Sequence, residues 1–143
     1  MLTADPPVHT RYRRLVSKAF TQRRVAELGP TIRAICDDLV DGFDGSPLDL
    51  HEAYCVPIPA RTIAAALGVP QERFADFKRW ADAGVAAIGR ELDDQGWIDS
   101  ANGVVEMQQY FAAELEHRRE HPADDLLTDL LAARLTPDDG VEG

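Results

Sequence analysis

His9 and Arg13 stand four residues apart in a stretch whose apolar residues recur at helical spacing, which puts both side chains on one helix face. They sit at the margin of the stripe formed by Val8, Tyr12, Leu15, Val16, Ala19 and Phe20. An imidazole N–H and a permanently charged guanidinium there would suit a carboxylate or phosphate held against a hydrophobic wall. The same spacing is also met by two side chains that simply point at water.

A second run, His117-Arg118-Arg119-Glu120-His121, matches the H-x-x-E-H pattern of one class of zinc peptidases. Two imidazoles at i and i+4 could hold zinc, with the glutamate as base and Asp124 or Asp125 as a further ligand. The plainer reading is a helix end before Pro122, where basic and histidine side chains complement the helix dipole. Cys36 and Cys55 form neither a CxxC pair nor a disulfide framework. Phe74, Phe77 and Trp80, spaced by three, could line a ligand cavity, but such a stripe is ordinarily core.

The elements that must position these groups are nearly all helices. Of 143 residues 45% are hydrophobic, enough for one domain with a core and against global disorder. No run is long and apolar enough for a membrane span, and Met1 to Pro7 is too short and polar for a secretory signal. A reducing cytoplasmic setting is expected. The formal net charge is −10, yet residues 1–24 hold Arg11, Arg13, Arg14, Lys18, Arg23 and Arg24 against Asp5 alone. One basic end on an acidic body indicates local electrostatic docking or an anion site, not a nucleic-acid coat.

Asp5-Pro6-Pro7 reads as a helix start capped by Asp5, and Thr21 as the cap of a continuation that Gly29-Pro30 stops. A helix from Pro30 to about Phe43 follows, then a possible short strand at Leu48-Asp49-Leu50. Pro57 and Pro59 predict a bent first half for the helix ending at Leu67-Gly68. Val69-Pro70 opens the next, with Phe74, Phe77, Trp80 and Ala81 inward. Glu91 to Gly96 reads as a loop, and Ser100 as the cap of a long helix through Val104, Met107, Phe111 and Leu115 that Pro122 closes. Leu126, Leu127, Leu130 and Leu131 mark a last helix, and 136–143 a polar tail. The expectation is one all-α segment of about seven helices over residues 1–143.

The stretch Asp5-Pro6-Pro7-Val8-His9-Thr10-Arg11-Tyr12-Arg13-Arg14-Leu15-Val16, running into Ala19-Phe20-Thr21, is similar to the segment opening helix C of bacterial cytochromes P450. Pro57-Ile58-Pro59 through Ile63-Ala64 to Leu67-Gly68-Val69-Pro70 resembles that family's helix E and its exit. Phe74 through Phe77 to Trp80 resembles helix F. Arg118-Arg119 and Pro122, then Asp124-Asp125-Leu126-Leu127, resemble the junction of helices G and H. The resemblance covers nearly the whole chain.

It implies the all-α P450 fold and a haem (heme) cofactor, with His9 and Arg13 contacting a haem propionate. It also implies O2-dependent oxygenation of a small organic substrate. Arg11, Arg14 and Lys18 become candidates for docking a ferredoxin- or flavodoxin-like electron donor, and the stretch from Ala83 to Trp97 for the pocket roof. The family's thiolate ligand lies in a glycine-rich loop, a setting that neither Cys36 nor Cys55 has. The long oxygen-activating helix is also absent. Glu116-His117-Arg118-Arg119 fits the family's Glu-x-x-Arg pattern but in the wrong element. The chain thus reads as an incomplete P450-like segment, inactive alone, or as a helical protein-interaction module or degenerate paralogue.

Overall fold

A computed structural model describes residues 4–88 and 91–134. Six α-helices carry it: α1 Val8–Ala19, α2 Gln22–Asp41, α3 Pro57–Ala66, α4 Phe74–Val85, α5 Asp94–Glu120 and α6 Leu126–Ala132. A single π-helical turn, His51–Cys55, precedes α3, and a 3₁₀ turn, Gln71–Arg73, leads into α4. No strand occurs among the described residues. The polar tail expected at 136–143 lies outside them.

Local chemistry explains where the helices begin and end. Asp5 does not cap α1 with its side chain; its carbonyl accepts the His9 N–H at 3.0 Å, and Pro7 takes the cap position. Thr21 does cap α2, its Oγ1 accepting the Arg24 N–H at 3.1 Å. The expected stop at Gly29-Pro30 is overridden, and α2 continues through Pro30. Proline forfeits one helical hydrogen bond, but Leu28, Ile32, Ile35, Cys36 and Leu39 form one half-buried stripe, and α2 packs on α3. Packing along both halves outweighs the local break.

Leu48-Asp49-Leu50 is not a strand because Asp49 folds the backbone locally. Its Oδ1 accepts the His51 N–H at 2.9 Å and the Glu52 N–H at 3.3 Å, starting the π turn. Pro57 and Pro59 fall in the first turn of α3, where backbone N–H groups need no helical partner. Gly68, at φ +70°, ends α3: its N–H bonds to the Ala65 carbonyl at 3.0 Å and the Val69 N–H to Ala64 at 2.9 Å. Helix α5 starts earlier than Ser100, at a cap made by Asp93, whose Oδ1 accepts the Gly96 N–H at 2.8 Å. Ser100 instead donates its hydroxyl to the Ala83 carbonyl at 2.7 Å, joining α5 to α4.

Ala64, Val69 and Phe77 form the buried core, with Leu67, Phe74, Tyr110 and Phe111 packed around it. Trp80, 2% exposed, packs against Tyr110 with rings tilted by 36° and centroids 5.1 Å apart, and Phe77 meets Phe111 edge-on at 6.5 Å. Trp80 is therefore core, Phe77 is buried in the core while also bordering, with Phe74, a cavity of about 200 Å³ between α3 and α4, and Ala81 points to solvent. Helix α4 approaches α5 closely where Gly103 faces Ala83; a Cβ on Gly103 would lie 2.5 Å from that of Ala83. The last helix, α6, packs on both α5 and α1, which brings the two ends of the described chain together.

Candidate functional site

Helix α1 presents the His9–Arg13 pair as the spacing requires, with His9 half-buried and Arg13 exposed. Neither side chain makes a hydrogen bond or ion pair with the described residues. Beside them, Val8, Tyr12 and Phe20 are 50%, 51% and 49% exposed. An open apolar flank next to two donors of opposite type to a carboxylate is the donor set that a carboxylate-bearing planar macrocycle needs along one edge. The residues present fit the propionate edge of a haem.

They do not supply its thiolate. Cys36 sits on α2, half-buried, and Cys55 is exposed in the π turn; both are free thiols. The Tyr54 hydroxyl is held above its ordinary value of 10.0, first by a hydrogen bond with Cys36 and then by the negative charge that thiol can carry. That contact, with Phe43 edge-on to Tyr54 at 6.3 Å, makes Cys36 part of the packing between α2 and the π turn.

The basic residues of α1 do not share one setting. Arg11 is exposed. Arg14 is half-buried, and its Nη1 is enclosed without a hydrogen-bond partner among the described residues. The Lys18 ammonium donates to the Arg134 carbonyl at 2.8 Å, just past α6. An open cleft of about 530 Å³ lies beyond it between α1, α2 and α6, lined by Lys18, Arg23, Arg24, Glu27 and Asp129. Its charges largely answer one another: Arg23 pairs with Glu27 at 2.8 Å and Arg24 with Asp129 at 2.7 Å.

Two arginines from different helices grip the acidic pair before α6. Arg24 of α2 binds Asp124 at 2.7 Å, and Arg118 of α5 binds Asp125 at 2.7 Å and Glu114 at 3.1 Å. Asp125 also caps α6 by accepting the Thr128 N–H at 2.9 Å. Burial pushes the Asp125 carboxyl upward, but the Thr128 and Arg118 hydrogen bonds outweigh it and hold the group below its ordinary 3.8. Gly68 lies directly against this pair, so the left-handed turn ending α3 and the start of α6 share one contact. Sequence reasoning singled out Asp124-Asp125 without these partners; the visible signal was an aspartate before an apolar run.

A comparable knot fastens α4 to α5. Glu106 accepts from Arg79 at 2.6 Å and from Trp80 Nε1 at 3.1 Å, and those two bonds lower its carboxyl pKa. Arg73 lies over Trp80 and Tyr110, 5.3 and 5.2 Å from the ring centres. Of the stretch assigned to the pocket roof, residues 89 and 90 lie outside the described residues; the rest includes the end of α4 and the start of α5, with Trp97 53% exposed.

At the other end of α5, His117 and His121 stack with ring centres 4.6 Å apart. Among the described residues no group of three or more His, Cys, Asp or Glu side chains is placed to hold a metal ion. The Glu-x-x-Arg match resolves into an exposed ion pair between Glu116 and Arg119 on α5, one turn apart. No helix among the described residues is long and apolar enough to cross a membrane.

Fold and site together define a helical layer whose first helix carries His9 and Arg13 beside exposed Val8 and Tyr12. Comparison with known proteins makes this specific. The chain is 42% identical over 134 residues to cytochrome P450 107B1 of Saccharopolyspora erythraea, covering 93% of this chain and 31% of that one. It is 35% identical over 144 residues to cytochrome P450 130 of Mycobacterium tuberculosis, covering 100% and 35%. The ligand-free structure of cytochrome P450 TbtJ1 superposes with a TM-score of 0.83 at 37% identity, over 92% of this chain and 35% of that one. CYP109Q5 from Chondromyces apiculatus gives 0.77 at 41%, over 96% and 34%. No family model matches the chain. By sequence and by structure the chain belongs to the cytochrome P450 superfamily, and it spans about a third of the length of the curated relatives it matches.

Proposed function

We propose that this chain forms part of a haem-thiolate monooxygenase acting on a small organic substrate in the cytoplasm. Haem bound through a cysteine thiolate supplies the cleavage of O2, with electrons from a protein partner and one oxygen atom entering the substrate. The contribution assigned to this chain is positional. Arg13 would offer a fixed positive charge and His9 an N–H to the haem carboxylates, with exposed Val8 and Tyr12 supplying apolar surface beside them. Arg11, exposed on the same helix, is the best placed of the basic residues to meet an acidic ferredoxin- or flavodoxin-like donor, with Arg14 and Lys18 beside it. The end of α4 and the start of α5 roof the substrate pocket.

The observation that carries this reading is the His9–Arg13 pair, without a hydrogen-bond or ion-pair partner among the described residues and beside exposed Val8 and Tyr12, in a chain whose relatives are P450s. The same exposed stripe would serve a helical interaction module, so the test must separate the two. A hybrid in which this chain replaces the matching segment of cytochrome P450 107B1 is expected to fold, retain haem and show the thiolate carbon-monoxide band. A hybrid that folds but takes up no haem would favour the module.

A further inference from the structure

The histidine pair at the end of α5 takes no part in the haem-facing helix or in the α4–α5 packing. The His121 N–H donates to the His117 carbonyl at 2.8 Å, so the backbone fixes the two residues one turn apart even as the helix ends. Their rings lie nearly parallel, 22° between planes and 4.6 Å between centres, and both residues are exposed. Two imidazoles at i and i+4 can each direct a nitrogen at one ion.

The surroundings remove the usual obstacle to a dication at a basic helix end. Arg118 is turned inward to Asp125 and Glu114, and Arg119 is neutralised by Glu116. Exposed Glu120 adds a negative charge beside the pair, and the carbonyls ending α5 point the same way. Pro122 follows at once and limits rearrangement of the turn.

We propose that His117 and His121 form a two-point surface site for a late first-row divalent transition-metal ion, with water completing the coordination. Imidazole nitrogen suits nickel, copper and zinc, and no third protein ligand is required for such a site to be occupied. This is a chelating face rather than a peptidase centre, since a catalytic zinc needs three protein ligands.

The test is calorimetric titration of the untagged 143-residue chain with Ni²⁺. One ion per chain is expected, with affinity falling by about tenfold or more in both His117→Ala and His121→Ala. His51→Ala, in the π turn, should bind as the parent does. Both test substitutions are at exposed positions, alanine favours helix at 117, and His121 lies just past the helix end, so circular dichroism should be unchanged. Absence of saturable binding, or binding that survives both substitutions, would overturn the site; so would loss only in His51→Ala.

Discussion

The Arg118 Nε and Asp125 Oδ2 atoms lie 2.7 Å apart with side chains 11% and 7% exposed, the most enclosed ion pair among the described residues. Because Asp125 also caps α6 and rests against Gly68, three helix ends depend on one carboxylate. Asp125→Ala should therefore lower unfolding stability by about 2 kcal/mol, since it removes a cap and leaves the half-buried Arg118 with Glu114 as its remaining carboxylate. Asp125→Asn keeps the cap and should cost less. Urea unfolding of the three chains distinguishes these outcomes, and equal midpoints would refute the shared role.

The same carboxylate sets an acid limit. Its folded-state pKa is depressed below the ordinary 3.8, so the unfolded chain binds the proton more readily. The stabilisation is complete above that ordinary value and is lost as pH falls through the depressed folded value. Stability measured from pH 6 downward should hold until about pH 4 and then decline. The decline should be shallower in Asp125→Asn.

Gly68→Ala tests the turn from the other side. At φ +70° a side chain is strained, and its Cβ would collide with Asp125 Oδ2 and approach Arg118 Nη2 at 2.9 Å. A loss of about 2 kcal/mol or more is expected in thermal or urea unfolding. A neutral substitution would mean that the turn and the ion pair are not mechanically joined.

Much of this layout was readable from residue order, and the misses have definite causes. Apolar spacing located α1, α5 and α6, because amphipathic helices announce their buried face. It failed at Pro30, where packing along Leu28, Ile32 and Ile35 overrides a local break. It also failed at Ser100, whose hydroxyl reaches the Ala83 carbonyl across to another helix. A residue's capping partner is local, but its tertiary partner is not. For the same reason His9 and Arg13 could be paired from spacing, whereas the grip of Arg24 on Asp124, 100 residues away, had no sequence signature. Arg14 illustrates the limit for charges: its type suggests solvent, yet its Nη1 is enclosed.

The placement of the two cysteines leads to a spectroscopic expectation. Cys36 is packed against Tyr54 and Cys55 lies in the π turn, neither on the helix that carries His9 and Arg13. The 143-residue chain, mixed with haem, reduced and exposed to carbon monoxide, should give no thiolate-type difference band. Appearance of that band would show that one of these thiols reaches the iron.

The role proposed for His9 and Arg13 is to hold the carboxylate edge of the haem. Its most direct measurement is haem transfer to apomyoglobin from the folded hybrid carrying this chain in cytochrome P450 107B1, compared with the same hybrid bearing His9→Ala and Arg13→Ala. Each lost charge-assisted hydrogen bond weakens retention by about 1.5–3 kcal/mol, so haem should leave the double variant at least tenfold faster, with helicity unchanged. Equal transfer rates would contradict the assignment and return His9 and Arg13 to an ordinary solvated helix face.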